Sequence, residues 1–305
     1  MQGVFRFIWN QPYILLLLTL TFWCGNFVVG EFTTKVNAQP VPPIQLAFFR
    51  WACAAVILLP FAWRGLGQER AAIYAHLPTL WLIGVSAYTF YNTCIYLALS
   101  QARSDATSLA TLQTIFPAVV AILALVLFKA RLKFSNLLGI ALAIFGGVLA
   151  SNQGNLETLA SIRFHAAHWW ALGAVFSYAL YTVLLRLRPE GISSLPFLWL
   201  LIVAGLSLLG PWWAYDTFVT GHRFVVTAHT LIALGYLMIF PSLISALCYN
   251  RAVQLIGPNV PALSINLMPF GIAFLIWLSP LPSQLAWYHL ISLALIFPGV
   301  YLVRR

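Results

Sequence analysis

Residues 42–60 read PPIQLAFFRWACAAVILLP, and the single charge in this stretch, Arg50, lies well inside it. An apolar helix of about 20 residues crosses a hydrocarbon core of about 30 Å. Pro42 and Pro43 suit the first turn of such a helix, where proline is tolerated. The stretch therefore predicts a membrane-spanning helix with one arginine about seven residues, roughly 10 Å, from its start.

Apolar runs of similar length recur along the whole chain. Of its 305 residues, 62% are hydrophobic and 7% are charged, and the mean hydropathy is +0.90. A soluble domain has about 25% charged residues, and solid apolar runs differ from the alternating strands of a membrane barrel. We predict an all-α integral membrane protein with ten transmembrane helices, at about residues 12–31, 43–63, 78–100, 105–128, 134–151, 167–186, 195–215, 229–253, 258–279 and 283–303.

The basic residues orient these spans, because cytoplasmic loops carry an excess of Lys and Arg. If both termini are cytoplasmic, four basic residues face the other side: Lys35, Arg103, Arg163 and Arg223. The cytoplasmic set is larger: Arg6, Arg64, Arg70, Lys129, Arg131, Lys133, Arg186, Arg188, Arg251, Arg304 and Arg305. The net charge of +10 is thus a topology signal, and we expect no nucleic-acid partner.

The chain repeats itself at an offset of 152 residues. ATLQTIFPAVVAIL (110–123) resembles ALSINLMPFGIAFL (262–275), and GIALAIFGGVLAS (139–151) resembles ISLALIFPGVYLV (291–303). Two five-helix repeats, residues 1–151 and 152–305, would lie inverted in one membrane domain, which is a recurrent transporter plan. Pro117 and Pro269 occupy matching places inside their spans, where we expect kinks that act as hinges.

Several stretches resemble one known family. They are WCGNFVVGEFTTK (23–35), LAFFRWACAAVILL (46–59), YNTCIYLALSQARSDATSLATLQTIFPAVVAIL (91–123), CYNRAVQLIGPNVPALSINLMPF (248–270) and LALIFPGVYLV (293–303). On these residues the chain resembles the drug/metabolite transporter superfamily, its EamA-type members, and within them most the YddG group of aromatic amino acid exporters.

The resemblance implies a multi-pass protein of the bacterial inner membrane that exports small metabolites by alternating access. It implies amino acids, including aromatic ones, as substrates. Two alternatives stay open, a multidrug exporter of lipophilic cations and a passive channel. A cation exporter would need a central acid as counter-charge, whereas the internal repeat favours a carrier over a channel.

The spans lack the groups that membrane catalysis requires. The acids and histidines all fall in loops or at span ends, so neither paired carboxylates nor an activated nucleophile is visible. The four cysteines lie in apolar spans without CxxC or CxxH spacing. We therefore expect no enzyme, no metal and no cofactor. The absence of a central protonatable group also favours facilitated diffusion or exchange over proton coupling.

Uncharged polar and aromatic residues do reach the interior, three or four apart along single helix faces. Such a lining suits a neutral or zwitterionic small molecule with an apolar side chain. The structural alternative is that these residues form hydrogen bonds between helices or lie at the membrane–water interface. The expected substrate-binding residues are Trp23, Asn26, Tyr88, Tyr91, Asn92, Tyr96, Ser177, Tyr178, Tyr181, Ser245 and Tyr249.

Arg50 has no counterpart in the second half, where residues 197–210 carry no charge. Glu31 and Asp105 are its expected partners in an ion pair or an outer gate, and direct contact with a substrate carboxylate is the remaining alternative. A different role is expected for Gly139, Ala143 and Gly147. Their spacing lets helices approach closely and indicates a scaffold contact or a homodimer through helix five.

Overall fold

The computed structural model of the protein describes residues 2–31, 41–100, 112–131, 133–157, 165–277 and 286–304. Every regular element in these ranges is a helix, which confirms the all-α fold class. Apolar sequence favours this outcome because a helix satisfies its own backbone N–H and C=O groups inside a membrane.

The described part of residues 2–151 is built from consecutive helices with short connections. The π-helix π1 (Val85–Tyr91) continues α5 into α6 without a break. The α-helices are α1 (Gln2–Trp9), α2 (Pro12–Glu31), α3 (Pro43–Gln68), α4 (Arg70–Ala75), α5 (Leu77–Gly84), α6 (Asn92–Ser100), α7 (Phe116–Phe128) and α8 (Phe134–Ser151).

The described part of residues 165–304 follows the same plan. A second π-helix, π2 (Met238–Ile244), joins α11 to α12, and 3₁₀ turns lie at Leu185–Leu187 and Ile265–Leu267. The α-helices are α9 (Ala166–Leu184), α10 (Ser194–Phe218), α11 (Ala228–Leu237), α12 (Ser245–Ile256), α13 (Asn259–Ser264), α14 (Met268–Trp277) and α15 (Trp287–Arg304).

Many of these helices are apolar enough to lie in a membrane. Five are also long enough to cross it: Pro43–Gln68, Phe134–Ser151, Ala166–Leu187, Ser194–Phe218 and Ala228–Ile256. Shorter apolar helices cover Pro12–Asn26, Phe116–Phe128, Asn259–Leu275 and Trp287–Val303. Large apolar side chains on their outer faces, such as Val56 and Phe61, are exposed, as lipid contact requires. The protein is an integral, multi-pass membrane protein, and the count of ten spans stays a prediction.

The second predicted span is longer than expected. RGLGQER (64–70) reads as a loop from its glycines and charges, but α3 continues to Gln68 and α4 begins at Arg70. A Cβ atom on Gly65 would lie 2.4 Å from Cγ of Pro196, so the start of α10 packs tightly against this turn. Tertiary packing here outweighs the low helix propensity of glycine.

The two repeated prolines lie near the starts of α-helices. Pro117 is in the first turn of α7, after a turn at residues 114–115. Pro269 is the second residue of α14, after the 3₁₀ turn at Ile265–Leu267. At the start of an α-helix the missing proline N–H has no acceptor within that helix to lose, and the expected kinks stay predictions. Interruptions of the α-helix precede both prolines. Hinge motion would have to occur there, and it stays a prediction.

The two halves place unusual helices at corresponding positions. The start of π2 at residue 238 follows the start of π1 at residue 85 by 153 residues, close to the 152-residue offset of the sequence repeats. The halves also exchange partners, since α2 packs against α12 while α9 packs against π1 and α6. π-helical turns are rare and are frequent at functional sites.

The small residues of α8 form a contact within the chain. A Cβ atom on Gly139 would lie 2.6 Å from the carbonyl oxygen of Gly299, and one on Gly299 would lie 2.6 Å from that of Gly139. Ala143 is fully buried in the same seam, and Gly147 faces Thr114 instead. The scaffold expectation fits this geometry. A homodimer through helix five stays a prediction, and α15 already occupies the small-residue face that suggested it.

Candidate functional site

Five aromatic rings surround Tyr178 on α9 at the centre of the helix assembly. The ring centroids lie 4.6 Å (Tyr91), 5.1 Å (Tyr181), 5.6 Å (Trp23), 5.7 Å (Phe116) and 5.7 Å (Tyr249) from that of Tyr178. They come from both halves of the chain, on α2, π1, α7, α9 and α12. These separations are typical of attractive aromatic pairs. We call these six residues the aromatic cluster.

Small residues on α9 allow its neighbours to approach the aromatic cluster. Ala171, Ala174 and Ala179 are fully buried, so the neighbouring helices can approach α9 closely at these positions. Tyr178 and Tyr181 are three residues apart and share a helix face. Tyr88 extends the cluster, since its ring centroid lies 6.2 Å from that of Tyr181.

The aromatic cluster is not completely buried. Tyr178 and Tyr91 are half-buried, although other rings surround them. Within the described residues their hydroxyls make no hydrogen bond. These hydroxyl oxygens are also not fully buried. The two rings therefore border accessible space, and their hydroxyls remain available to a bound molecule.

Hydrogen bonds between α9 and α12 hold two members of the aromatic cluster, Tyr181 and Tyr249. The Tyr181 hydroxyl donates to Oδ1 of Asn250, and the Thr182 and Tyr249 hydroxyls are hydrogen-bonded at 3.0 Å. Tyr181 and Tyr249 each expose only 1% of their surface. Thr182 and Asn250 are not among the residues predicted from the sequence. Both are polar residues in apolar helices, and such hydroxyl and amide side chains commonly form hydrogen bonds between helices. Their polarity could therefore have predicted a helix–helix contact.

Arg50 lies at the edge of the aromatic cluster, 4% exposed. Its Nη1 donates to Asn26 Oδ1 (3.0 Å) and to the Tyr96 hydroxyl (2.8 Å), and its Nε donates to Ser242 Oγ. Its guanidinium carbon also lies 4.9 Å from the centroid of the Trp51 ring. One side chain thus connects α2, α3, α6 and π2 through neutral partners. The Glu31 side chain and Asp105 lie outside the described residues, so the expected ion pair stays a prediction.

Three of the expected binding residues instead satisfy backbone carbonyls of the π-helical segments. Asn92 Nδ2 donates to Ala87 O (2.8 Å), and Ser245 Oγ donates to Phe240 O (3.1 Å), each five residues back. Ser177 Oγ on α9 donates to Ser86 O at 2.6 Å. Their roles in substrate contact stay predictions. In the structure their side chains donate hydrogen bonds to backbone carbonyls of π1 and π2. Of the remaining expected residues, Trp23, Tyr88, Tyr91, Tyr178, Tyr181 and Tyr249 lie in or beside the aromatic cluster, and Asn26 and Tyr96 bind Arg50.

A separate polar network, unforeseen from the sequence, joins the start of α3 to the end of α10. Buried Asp216 accepts hydrogen bonds from Gln45 Nε2 (3.0 Å) and bonds to His222 Nδ1 (2.9 Å). Gln45 Oε1 in turn accepts from Trp213 Nε1 at 2.8 Å. Within the described residues no group of three His, Cys, Asp or Glu side chains is placed to hold a metal ion. We regard the network as structural.

Replacing Asp216 with alanine is expected to lower the free energy of unfolding by about 1 kcal/mol or more, because its carboxyl group is hydrogen-bonded to Gln45, Thr220 and His222. The KM for transport should stay within about twofold, since Asp216 does not contact the aromatic cluster. Thermal unfolding and initial uptake rates measure the two effects. Glu190→Ala, at an exposed turn, is the control with no expected loss. A large rise in KM at an unchanged melting temperature would show that the network acts in transport.

Comparison with known proteins identifies the family. The family model of the EamA-like transporters matches residues 10–152 and again residues 165–305. The uncharacterized transporter YyaM of Bacillus subtilis is 22% identical over 262 residues, covering 84% of this chain and 82% of its own. An uncharacterized transporter of Archaeoglobus fulgidus is 26% identical over 145 residues, 46% of this chain and 48% of its own.

A solved crystal structure shares the fold, with a TM-score of 0.74 over 95% of each chain at 14% identity. Likeness at this identity shows the fold alone. The double match of one family model, together with the apolar helices, confirms the resemblance at the level of the family and of general membrane transport. The chain belongs to the EamA-like transporter family.

Proposed function

We propose that this transporter exports amino acids, aromatic ones included, and that the aromatic cluster around Tyr178 binds their side chains. The observation that carries the proposal is the ring arrangement: Tyr178 is within 5.7 Å, centroid to centroid, of five other rings and remains half-buried. Ring faces and edges at this spacing suit another aromatic ring. The narrower assignment to the YddG group belongs to this proposal.

The proposed architecture has ten spans in two inverted repeats, residues 1–151 and 152–305, with both termini in the cytoplasm of a bacterial cell. The matching π-helices and the reciprocal packing of α2 with α12 and of α9 with α6 support the repeat. In this orientation the hydrogen bonds of Tyr181 and Tyr249 close the cytoplasmic side of the aromatic cluster. Arg50 then lies towards the outer side.

This closure supports the proposal of alternating access. Substrate would leave the aromatic cluster on its accessible side in the described conformation, and would enter from the cytoplasm once the α9–α12 hydrogen bonds open. The aromatic cluster contains no carboxylate and no histidine, which favours facilitated diffusion or exchange over coupling to protons. The matching breaks before Pro117 and Pro269 offer places for the required bending.

The charge at Arg50 and the α9–α12 closure bear on the two alternatives. A multidrug exporter of lipophilic cations would bring a second positive charge towards a buried guanidinium, which costs Coulomb energy in a low-dielectric site. A passive channel needs a continuous path across the membrane. Tyr181 and Tyr249 are each 1% exposed and are hydrogen-bonded between α9 and α12, which does not fit such a path at this position. Both observations support a carrier for neutral or zwitterionic molecules.

The proposal is tested with purified protein in liposomes. Uptake of labelled L-tyrosine, L-phenylalanine, glucose and tetraphenylphosphonium is compared with uptake by empty liposomes. We expect saturable flux of the two amino acids and background flux of the sugar and the cation. Saturable flux of the cation alone would instead identify a drug exporter, and unsaturable flux of every solute would identify a channel.

Weakening the α9–α12 closure should expose the buried thiol of Cys248 on α12. Tyr181→Phe and Tyr249→Phe each remove one hydrogen bond, worth about 1 kcal/mol. The double variant should therefore raise the maleimide labelling rate of Cys248 by about tenfold or more. Mass spectrometry locates the label, and half-buried Cys53 on α3 is the internal control with an unchanged rate. Equal labelling of Cys248 in wild type and double variant would contradict the closure.

A further inference from the structure

We propose that Arg50 and Trp51 form a carboxylate subsite at the edge of the aromatic cluster, so that the transporter requires a free α-carboxylate on its substrate. This inference rests on the proposed function and adds a chemical requirement to it. In this proposal the aromatic cluster binds the ring of an aromatic amino acid, and Arg50 binds its carboxylate.

The first support is the charge of Arg50, which has no counter-charge within the described residues. Its side chain is 4% exposed, and its described hydrogen-bond partners, Asn26, Tyr96 and Ser242, are all neutral. Neutral acceptors orient a guanidinium but leave its net charge in place. Buried charges are ordinarily paired. The site therefore favours an anionic group, and within the described residues no carboxylate lies within ion-pair distance of Arg50.

The second support is the set of donors left over. Nε and Nη1 of Arg50 make all of its hydrogen bonds within the described residues, which leaves Nη2. The indole Nε1 of neighbouring Trp51 is fully buried and has no acceptor there either. The Arg50 guanidinium carbon lies 4.9 Å from the centroid of the Trp51 ring. Both groups are N–H donors on neighbouring residues, and a carboxylate only accepts hydrogen bonds.

The third support is the position of this subsite relative to the rings. Asn26, which accepts from Arg50, lies three residues after Trp23 on the same face of α2. The Trp51 ring packs against Tyr88 with centroids 4.5 Å apart, and Tyr88 in turn contacts Tyr181. A small molecule with a ring at one end and a carboxylate at the other would meet the aromatic cluster and Arg50 together.

The competing explanation is that Glu31, five residues after Asn26 on α2, supplies the carboxylate from the protein itself. In that case Arg50 would stabilise the fold and would not distinguish substrates that carry a carboxylate from those that lack one. Substrate selectivity of the wild-type protein therefore separates the two explanations without any substitution.

The test is inhibition of labelled L-tyrosine uptake into liposomes that contain the wild-type protein. L-Phenylalanine, L-phenylalaninamide and phenethylamine are the inhibitors, because the last two keep the ring and lack the carboxylate. Charge-assisted hydrogen bonds to a carboxylate predict that L-phenylalanine inhibits at roughly ten- to hundredfold lower concentration. Comparable inhibition by all three overturns the subsite while leaving aromatic transport intact. No saturable tyrosine uptake at all would overturn the proposed function instead.

A variant assigns the selectivity to Arg50. Arg50→Lys keeps the charge and loses the Nη2 donor together with the planar guanidinium that holds it in place, so the preference for L-phenylalanine over its amide should fall to within about threefold. Arg64→Lys, at an exposed position of α3, is the matched control and should keep the wild-type preference. Full preference in Arg50→Lys would overturn the subsite. If that variant does not fold, the selectivity of the wild type decides alone.

Discussion

Replacing Tyr178 with alanine is expected to lower the initial rate of L-tyrosine uptake at least tenfold. The substitution removes the ring at the centre of the aromatic cluster, which contacts five others. Aromatic pairs contribute about 0.5–1.5 kcal/mol each, and the loss of a single strong pair already corresponds to a factor of ten. Uptake is measured in liposomes that contain equal amounts of folded protein.

Tyr178→Phe is the matched control for this prediction. It keeps the ring and removes a hydroxyl that makes no hydrogen bond within the described residues, so uptake should stay within about threefold of wild type. The melting temperature in detergent separates loss of binding from loss of fold. A wild-type uptake rate in Tyr178→Ala would show that the aromatic cluster is only a packing core.

Replacing Gly299 with leucine is expected to prevent the accumulation of folded protein. The first side-chain carbon alone would lie 2.6 Å from the carbonyl oxygen of Gly139 and 3.3 Å from Cβ of Ala143. Neither backbone atoms nor a short alanine side chain can move aside, so α8 and α15 must separate. Overpacking of this kind costs about 1–3 kcal/mol or more, and leucine adds three further carbons. The yield of monodisperse protein in detergent and its melting temperature measure the effect.

Gly235→Ala is the control for the α8–α15 seam. A Cβ atom at Gly235 on α11 would meet no atom within 4 Å, and alanine favours a helix by about 1 kcal/mol over glycine. That variant should therefore be as stable as wild type or more so. A normal yield of Gly299→Leu would mean that the two helices do not meet in this way.

Hydropathy predicted most of the helical framework because burial in lipid depends on composition, which the sequence displays directly. It did not predict the π-helices, since a change in backbone register leaves the apolar pattern of a helix unchanged. The prolines show the same limit. Pro117 is compatible both with a kink inside a helix and with the first turn of a new one, and only the packing around residues 114–115 distinguishes them.

The site could be predicted in part for a similar reason. Helical spacing placed Tyr178 and Tyr181 on one face, but it does not specify which faces of different helices meet. Arg50 shows which part of the site could not be predicted. The sequence shows that a buried charge needs partners, whereas the structure supplies three neutral ones from α2, α6 and π2. The binding of Gln45 to Asp216 across 171 residues has no local signal at all.

Counterflow tests the central claim, a carrier for aromatic amino acids, most directly. Liposomes that contain the wild-type protein are loaded with unlabelled L-phenylalanine, and entry of trace labelled L-tyrosine is followed. Our account predicts transient accumulation of label above the external concentration, at least about tenfold over liposomes loaded with glucose. Equal entry into both sets of liposomes, with no overshoot, would contradict it.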